Sequence, residues 1–403
     1  MLNFSFLNRL LSYPSIKSLC LILLNKLTFR KKVWLDVGIK RKIRLEEDEE
    51  CEIEIPNFNN IKKTIKVEIP KIYCYQLKNV VAEIESSSFY DKKNIYIERF
   101  LGGDQKLCDY NTGHIITNFK SFYFIRKNKK VENLNCRVFF LGGNGSFNYF
   151  HWIIEILPKL IFFNQLENID LIVVHENVRK IQSYADSFNL ILNYFNINIP
   201  VKYVGKNTTL LCQELNYISS FNHVVFNIKG EYDVNYSRFS YNKTKMVSDI
   251  FLKNNIDMNF EEVDKFPKKF FIKRGKGISA YNRRTYNEVE ISKELIKLDI
   301  KTIYIEEYSF YEQMKLFSNA DLIVAPSGAF LTNIIFCKEK TKIVSWLPEK
   351  FKKFSVYSTL AYIFEVQMHF VKSESKLEKD ALHGEYYLNK ELLVNKILEI
   401  SKV

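Results

Sequence analysis

Asp321-Leu322-Ile323-Val324-Ala325-Pro326-Ser327-Gly328-Ala329-Phe330-Leu331-Thr332-Asn333 is the stretch that decides the fold. A short apolar run ends in Pro-Ser-Gly, and an apolar helical pattern follows. That order predicts a buried parallel strand, a tight turn and a helix start. Ser327, Gly328 and Ala329 then offer backbone N–H groups at the positive end of a helix dipole, a site for phosphate or another anion. The glycine spacing is neither that of a Walker loop nor that of a dinucleotide fingerprint.

The same rhythm extends on both sides. Upstream lie a strand at Phe270–Lys273, a helix opened by the capping box Thr285-x-x-Glu288, a strand at Lys301–Ile305 and a second capping box, Ser309-x-x-Glu312. Downstream come a strand at Lys342–Trp346 and a terminal helix from Asn389 to Ile400. An earlier series starts at Arg137. It has a buried strand Val138–Leu141, the turn Gly142-Gly143-Asn144-Gly145, and a helix over Phe147–Leu166 that Pro158 kinks or splits. A strand at Leu171–Val174, a helix over about 178–195 and a strand at Val201–Val204 follow. Strands alternating with helices make parallel sheets covered on both faces. Residues 236–254 read as a helical bridge between the two series, with Asp264–Pro267 as a linker. Ahead of both, alternation such as Ile53 and Ile55 against Glu52 and Glu54 predicts an antiparallel-rich lead-in over roughly 50–135.

A chain of 403 residues with 47% hydrophobic and 26% charged residues is globular and large enough for two domains. The formal net charge of +13 is uneven. Residues 1–44 hold ten Lys or Arg against one acid, Asp36, and Glu46–Glu54 then supplies seven acids. This basic, mostly helical start, with Arg30, Lys31, Lys32, Lys40, Arg41 and Lys42, suits an anionic membrane surface better than nucleic acid. Its apolar run Leu19–Leu24 is too short to span a bilayer. Seven dispersed cysteines without a C-x-x-C pair indicate a reduced, cytoplasmic chain.

Three segments just past strand ends carry candidate chemistry. In Asn148-Tyr149-Phe150-His151-Trp152-Ile153-Ile154-Glu155, His151 and Glu155 share a helix face, and a carboxylate beside an imidazole orients it and raises its basicity. A helix cap with a surface ion pair is the alternative. The segment Lys268–Arg284 holds seven cations and no acid; Arg274, Arg283 and Arg284 suit bidentate binding of a diphosphate. The 326–333 turn is the third. Glu306, Glu307, Tyr311 and Asn333 are candidate nucleotide or ribose contacts. There is no D-x-D pair, and the six histidines lack metal-ligand spacing, so no metal is expected.

Taken together, these stretches resemble the catalytic domain of glycosyltransferase family 61, in the branch of capsular polysaccharide biosynthesis proteins. The resemblance rests on Asn148-Tyr149-Phe150-His151-Trp152-x-x-Glu155-x-x-Pro158, on Arg274 through Arg283-Arg284-x-x-Asn287-Glu288, and on Ala320-Asp321 through Ser327-Gly328-Ala329-x-Leu331-Thr332-Asn333. It covers about Arg137–Pro348. Three positions depart from it: Ser327 stands where many members carry His, Phe330 where they carry Gly, and Glu155 where Asp is frequent.

The resemblance implies an α/β, GT-B-like fold: two Rossmann-like domains facing a cleft, here with the β-rich lead-in. It also implies inversion, no metal, no cofactor, and a sugar passed from a nucleotide-sugar donor to a hydroxyl of a glycan or glycolipid acceptor. The expected division is a basic extension over 1–50, an acceptor-side domain over 51–245, a nucleotide-sugar domain over 246–385 and a terminal helix over 386–403. His151 or Glu155 takes the base role; Arg274, Arg283, Arg284 and the 327–329 amides take the diphosphate. The expected setting is bacterial surface polysaccharide or lipopolysaccharide synthesis, in the cytoplasm or peripherally on the inner face of the plasma membrane. A phosphosugar or polyol-phosphate transferase and a basic RNA-binding protein are the competing readings.

Overall fold

The computed structural model describes residues 27–102, 105–106, 108–119, 121–126, 130–225, 228, 231–253, 265–273, 286–375 and 385–402. Arg274, Arg283, Arg284, the cap residue Thr285, the linker's Asp264 and the run Leu19–Leu24 lie outside these residues.

The lead-in is antiparallel-rich. Its strands are β1 (Leu27–Trp34), β2 (Lys42–Glu46), β3 (Glu49–Glu54), β4 (Thr64–Ile69), β5 (Ile72–Glu83), β6 (Ser88–Tyr90), β7 (Asn94–Ile97), β8 (Ile115–Phe119) and β9 (Phe122–Arg126). The first α/β series adds β10 (Lys130–Leu141), β11 (Leu171–His175), β12 (Val201–Val204) and β13 (Thr208–Ile218). Together they form an 11-stranded mixed sheet in the order β12-β11-β10-β13-β5-β6-β7-β1-β9-β8, with β2 on β5. Strands β12, β11, β10 and β13 run parallel. A short antiparallel pair follows, β14 (Asn222–Val224) with β15 (Ser237–Phe239).

The second series gives β16 (Lys269–Lys273), β17 (Lys301–Tyr304), β18 (Leu322–Val324), β19 (Lys342–Pro348), β20 (Gln367–Ser375) and β21 (Tyr386–Tyr387). They make a six-stranded sheet in the order β17-β16-β18-β19-β20-β21, parallel except for β21. The chain steps from β16 to one side, then returns to β18 on the other. The strand order therefore reverses between β16 and β18, the place where open α/β sheets form a crevice at their carboxyl ends.

Continuous apolar runs serve two cores at once. In β10, Phe139 and Leu141 enter one cluster while Val138 and Phe140 enter another, all fully buried. In the second sheet Phe270, Ile323 and Ile343 join the cluster of Phe139, whereas Phe271, Val324 and Val344 face a third core with the terminal helix. The two sheets thus share one apolar layer between them. The helix Tyr241–Lys253 crosses that layer: the Ser248 hydroxyl donates to the Ile335 carbonyl, and Phe251 packs edge-on against Phe310 and Phe336.

The basic start differs from the helical expectation. Over its described part, Leu27–Trp34 is a strand inside the large sheet, between β7 and β9, and only Leu35–Gly38 forms a helical turn. Two of its cations find local partners in the sheet. Arg30 Nε donates to the Asp91 carbonyl at 2.6 Å, and Lys32 Nζ sits 3.5 Å over the Trp34 ring. Elsewhere the differences are of helix start and type. The helix Glu288–Lys297 has Asn287 at its N-cap, two residues later than the Thr285-x-x-Glu288 box places it. Phe147–Leu166 becomes a π-helical segment, His151–Ile156, and a 3-10 segment, Leu157–Gln165. The segment after the 326–328 turn is 3-10 over Ala329–Phe336. The Ser309 box forms as read: Ser309 Oγ accepts from the Glu312 N–H at 3.3 Å, and Glu312 Oε2 accepts from the Ser309 N–H at 2.8 Å.

Candidate active site

Pro158 shapes the helix that carries His151. Having no N–H, it cannot bond the Ile154 carbonyl one turn back, so the helix changes type there. Asn222 Nδ2 donates to that carbonyl instead, at 2.7 Å. The same strand end reaches Glu155: the Val224 N–H donates to Glu155 Oε1 at 2.7 Å. Glu155 Oε2 lies 2.7 Å from His151 Nδ1, and both side chains are buried. Each carboxylate oxygen thus has a fixed partner. With Nδ1 donating to Glu155, the imidazole lone pair is on Nε2.

Gly145 closes the other side of the ring. Its φ of +82° favours glycine, and a Cβ there would collide with the imidazole. Trp152 anchors the helix by donating from Nε1 to Ser187 Oγ at 3.0 Å.

Around the pair lies a buried polar set that the sequence reading left out. His223 packs against Phe100 in a tilted arrangement with ring centroids 4.9 Å apart, and its Nε2 is buried without a hydrogen-bond partner. Burial holds its pKa below the usual imidazole value, with Glu155 and Glu98 acting the other way. Lys159 is buried with its ammonium 4.1 Å over the Tyr217 ring. Burial pushes its pKa down to about 8, against the pull of Glu98 and Glu155. Glu98 accepts from the Tyr217 hydroxyl and the Ser220 N–H, each at 2.6 Å. The one signal for these in the sequence is Lys159 itself, a lone charge in the apolar run Ile156–Phe163.

The 326–333 turn sits beside this helix. The Tyr149 hydroxyl, two residues before His151, donates to Asn333 Oδ1 at 2.9 Å, and Asn333 Nδ2 donates to Gln313 Oε1 at 2.8 Å. Asn333 is therefore wholly buried and engaged at both amide atoms. Ser327 is buried, while Gly328 and Ala329 are half-buried at the carboxyl end of β18. Phe271 pairs with Val324, which puts Lys273, the last described residue before the cation segment, level with Pro326. Lys273 Nζ bonds Glu288 at 3.0 Å. Glu306 and Glu307 are exposed past the end of β17, and Tyr311 is partly buried against the core. Among the described residues, no three His, Cys, Asp or Glu side chains cluster to hold a metal.

Residues 149–344 match the model of the glycosyltransferase 61 family, a span holding the His151 helix, the cation segment and the 326–333 turn. The chain carries a glycosyltransferase 61 domain. No curated protein matches it at a significant level. The glycosyltransferase accordingly acts on a donor sugar and an acceptor. The first 148 residues, with the lead-in strands and β10, and those after 344, with β20 and β21, lie outside the match.

Proposed function

We propose that the glycosyltransferase passes a sugar from a nucleotide-sugar donor to a hydroxyl of a glycan or glycolipid, with inversion and without a metal. The observation that carries this reading is the buried His151–Glu155 pair, with the second carboxylate oxygen held by the Val224 N–H. Glu155 is already engaged twice, so it orients His151, and Nε2 takes the proton. The acceptor oxygen attacks the anomeric carbon as Nε2 removes its proton. The bond from that carbon to the diphosphate oxygen breaks on the opposite face, and the electron pair leaves with the diphosphate.

Arg274, Arg283 and Arg284, with the amides of Ser327, Gly328 and Ala329, are our candidates to stabilise the leaving charge. The placement of Lys273 and the 326–328 turn at the strand-order reversal supports that role. We read the two sheets as the acceptor and donor halves of a GT-B-like enzyme. The absence of D-x-D from the sequence favours cation rather than metal neutralisation of the diphosphate. Bacterial surface polysaccharide or lipopolysaccharide synthesis, in the cytoplasm or at the inner membrane face, is the setting we infer. Among the described residues no helix is long and apolar enough to cross a membrane.

The test is transfer and hydrolysis with a panel of nucleotide sugars, with and without EDTA, reading the anomeric configuration of the product by NMR. An inverted product formed in EDTA is the expected result. Retention, or loss on chelation with recovery in Mn²⁺, overturns the mechanism.

A further inference from the structure

A pocket of ≈ 510 Å³ lies away from the His151 helix, between the β3–β4 hairpin loop, the helix Tyr241–Lys253 and the start of β20. That volume falls within the roughly 300–1,000 Å³ typical of small-molecule sites. By the register Leu322–Lys342–Gln367, it opens at the amino end of the second sheet. The 326–328 turn sits at the other end. Most of its wall, including Glu54, Asn57, Lys62, Tyr362 and Gln367, is outside the residues matched by the family.

Two buried acceptors in this wall have no donor: Glu54 Oε2 and Asn57 Oδ1. Lys62 Nζ stands 3.7 Å from Glu54, beyond hydrogen-bond distance, and lies 4.5 Å over the Tyr362 ring. Buried acceptors of this kind are normally satisfied, here by a molecule that brings O–H or N–H groups. The walls are fixed. The Tyr241 hydroxyl donates to the Glu52 carbonyl at 2.8 Å, the Tyr362 hydroxyl donates to the Glu52 carboxylate, and the two rings pack edge-on at 5.9 Å.

Charge narrows the occupant. The wall carries both signs: a cation would meet Lys62 and Lys245, and an anion would meet Glu54 and Glu365. Two wall groups are held toward neutrality: burial pushes Glu54 up to about 7 and His369 down to about 4. What remains is a neutral molecule with several hydroxyls for the acceptors and an apolar face for the tyrosine rings. We propose that this pocket is a second carbohydrate site, which takes one or two residues of a neutral glycan at a distance from the reacting centre. It goes beyond the transfer reading and is tested by binding alone.

The full-length chain is titrated with maltotriose, cellotriose, xylotriose and chitotriose, and binding is followed by calorimetry and saturation-transfer NMR. At least one should bind. Gln367→Trp, an exposed residue at the lip, fills the mouth without touching the buried wall and should weaken binding about tenfold or more. Glu54→Gln should weaken it less. His151→Ala should leave it unchanged. The site is overturned if none of the four binds at about 10 mM, or if binding survives both pocket variants. Loss of binding in His151→Ala alone places the sugar at the candidate active site, and also overturns it.

Discussion

The Tyr149 hydroxyl donates to Asn333 Oδ1 at 2.9 Å, tying the helix that carries His151 to the segment that follows the 326–328 turn. The bond crosses between the two sheets' helical layers and is part-buried. Asn333 continues it to Gln313, whose Nε2 donates to the Ile305 and Tyr308 carbonyls. Tyr149→Phe removes one hydrogen bond and should cost about 1 kcal/mol. Asn333→Ala strands Gln313 Oε1 in a buried site and should cost about 2–3 kcal/mol. Urea unfolding of the two variants checks the order. An Asn333→Ala no worse than Tyr149→Phe would mean the chain of bonds is not structural.

The Ile154 carbonyl yields a second expectation. Asn222 donates to it, and Asn222 Oδ1 accepts from the Ser240 N–H at 2.8 Å. Asn222→Leu takes the side-chain donor from the buried Ile154 carbonyl and leaves the Ser240 N–H with only its 3.2 Å bond to the Phe221 carbonyl, at a cost of about 1–3 kcal/mol. Because Val224 holds Glu155 from the same strand end, turnover should also fall. A large stability loss with unchanged turnover would separate this strand from the catalytic helix.

How much of this was legible in the sequence follows from the range of each interaction. Periodicity is local, so the strands at 138–141 and 322–324, and the Ser309 cap, could be read from their own residues. The His151–Glu155 pair spans four residues and was equally local. Asn222, Val224, Glu98 and His223 reach the site from 40 to 80 positions away or on unrelated strands, so no spacing rule exposes them. The strand Leu27–Trp34, expected as part of a helical start, was hidden for a different reason. Arg30 and Lys32 find a carbonyl and an aromatic ring in the folded sheet, and a charge count cannot see such partners.

A pH experiment isolates Glu54. Its carboxyl titrates near 7 in the fold because burial disfavours the ion, against an ordinary value of 4.5, with Lys62 opposing. The folded state therefore holds the proton more tightly than the unfolded chain. The sign follows: no penalty below the unfolded value, a growing one as pH rises, and the full penalty above about 7. Glu54→Gln removes it. The variant should match wild type near pH 4 and exceed it at about pH 8, by no more than about 3 kcal/mol. Melting curves at both pH values decide it. An equal gap at the two would assign the effect to packing instead.

The last expectation concerns the proton taken from the acceptor. If Glu155 fixes the ring and Nε2 of His151 is the base, the two side chains fail in different ways. His151→Ala removes the base and should lower turnover by about 10²–10⁴-fold. Glu155→Gln keeps the shape but has one acceptor oxygen where the carboxylate uses two, so it loses either the Val224 or the His151 bond together with the charge that stabilises the imidazolium. Its turnover should fall less than that of His151→Ala; if the carboxylate itself were the base, it would fall at least as far. Nucleotide binding by calorimetry should stay near wild type in both, since neither side chain belongs to the proposed diphosphate site. Arg274→Ala gives the contrast, with reduced turnover and weakened donor binding together. Near-normal turnover in both helix variants would remove His151 and Glu155 from the reaction, and lost nucleotide binding in a folded Glu155→Gln would move that carboxylate to the donor side.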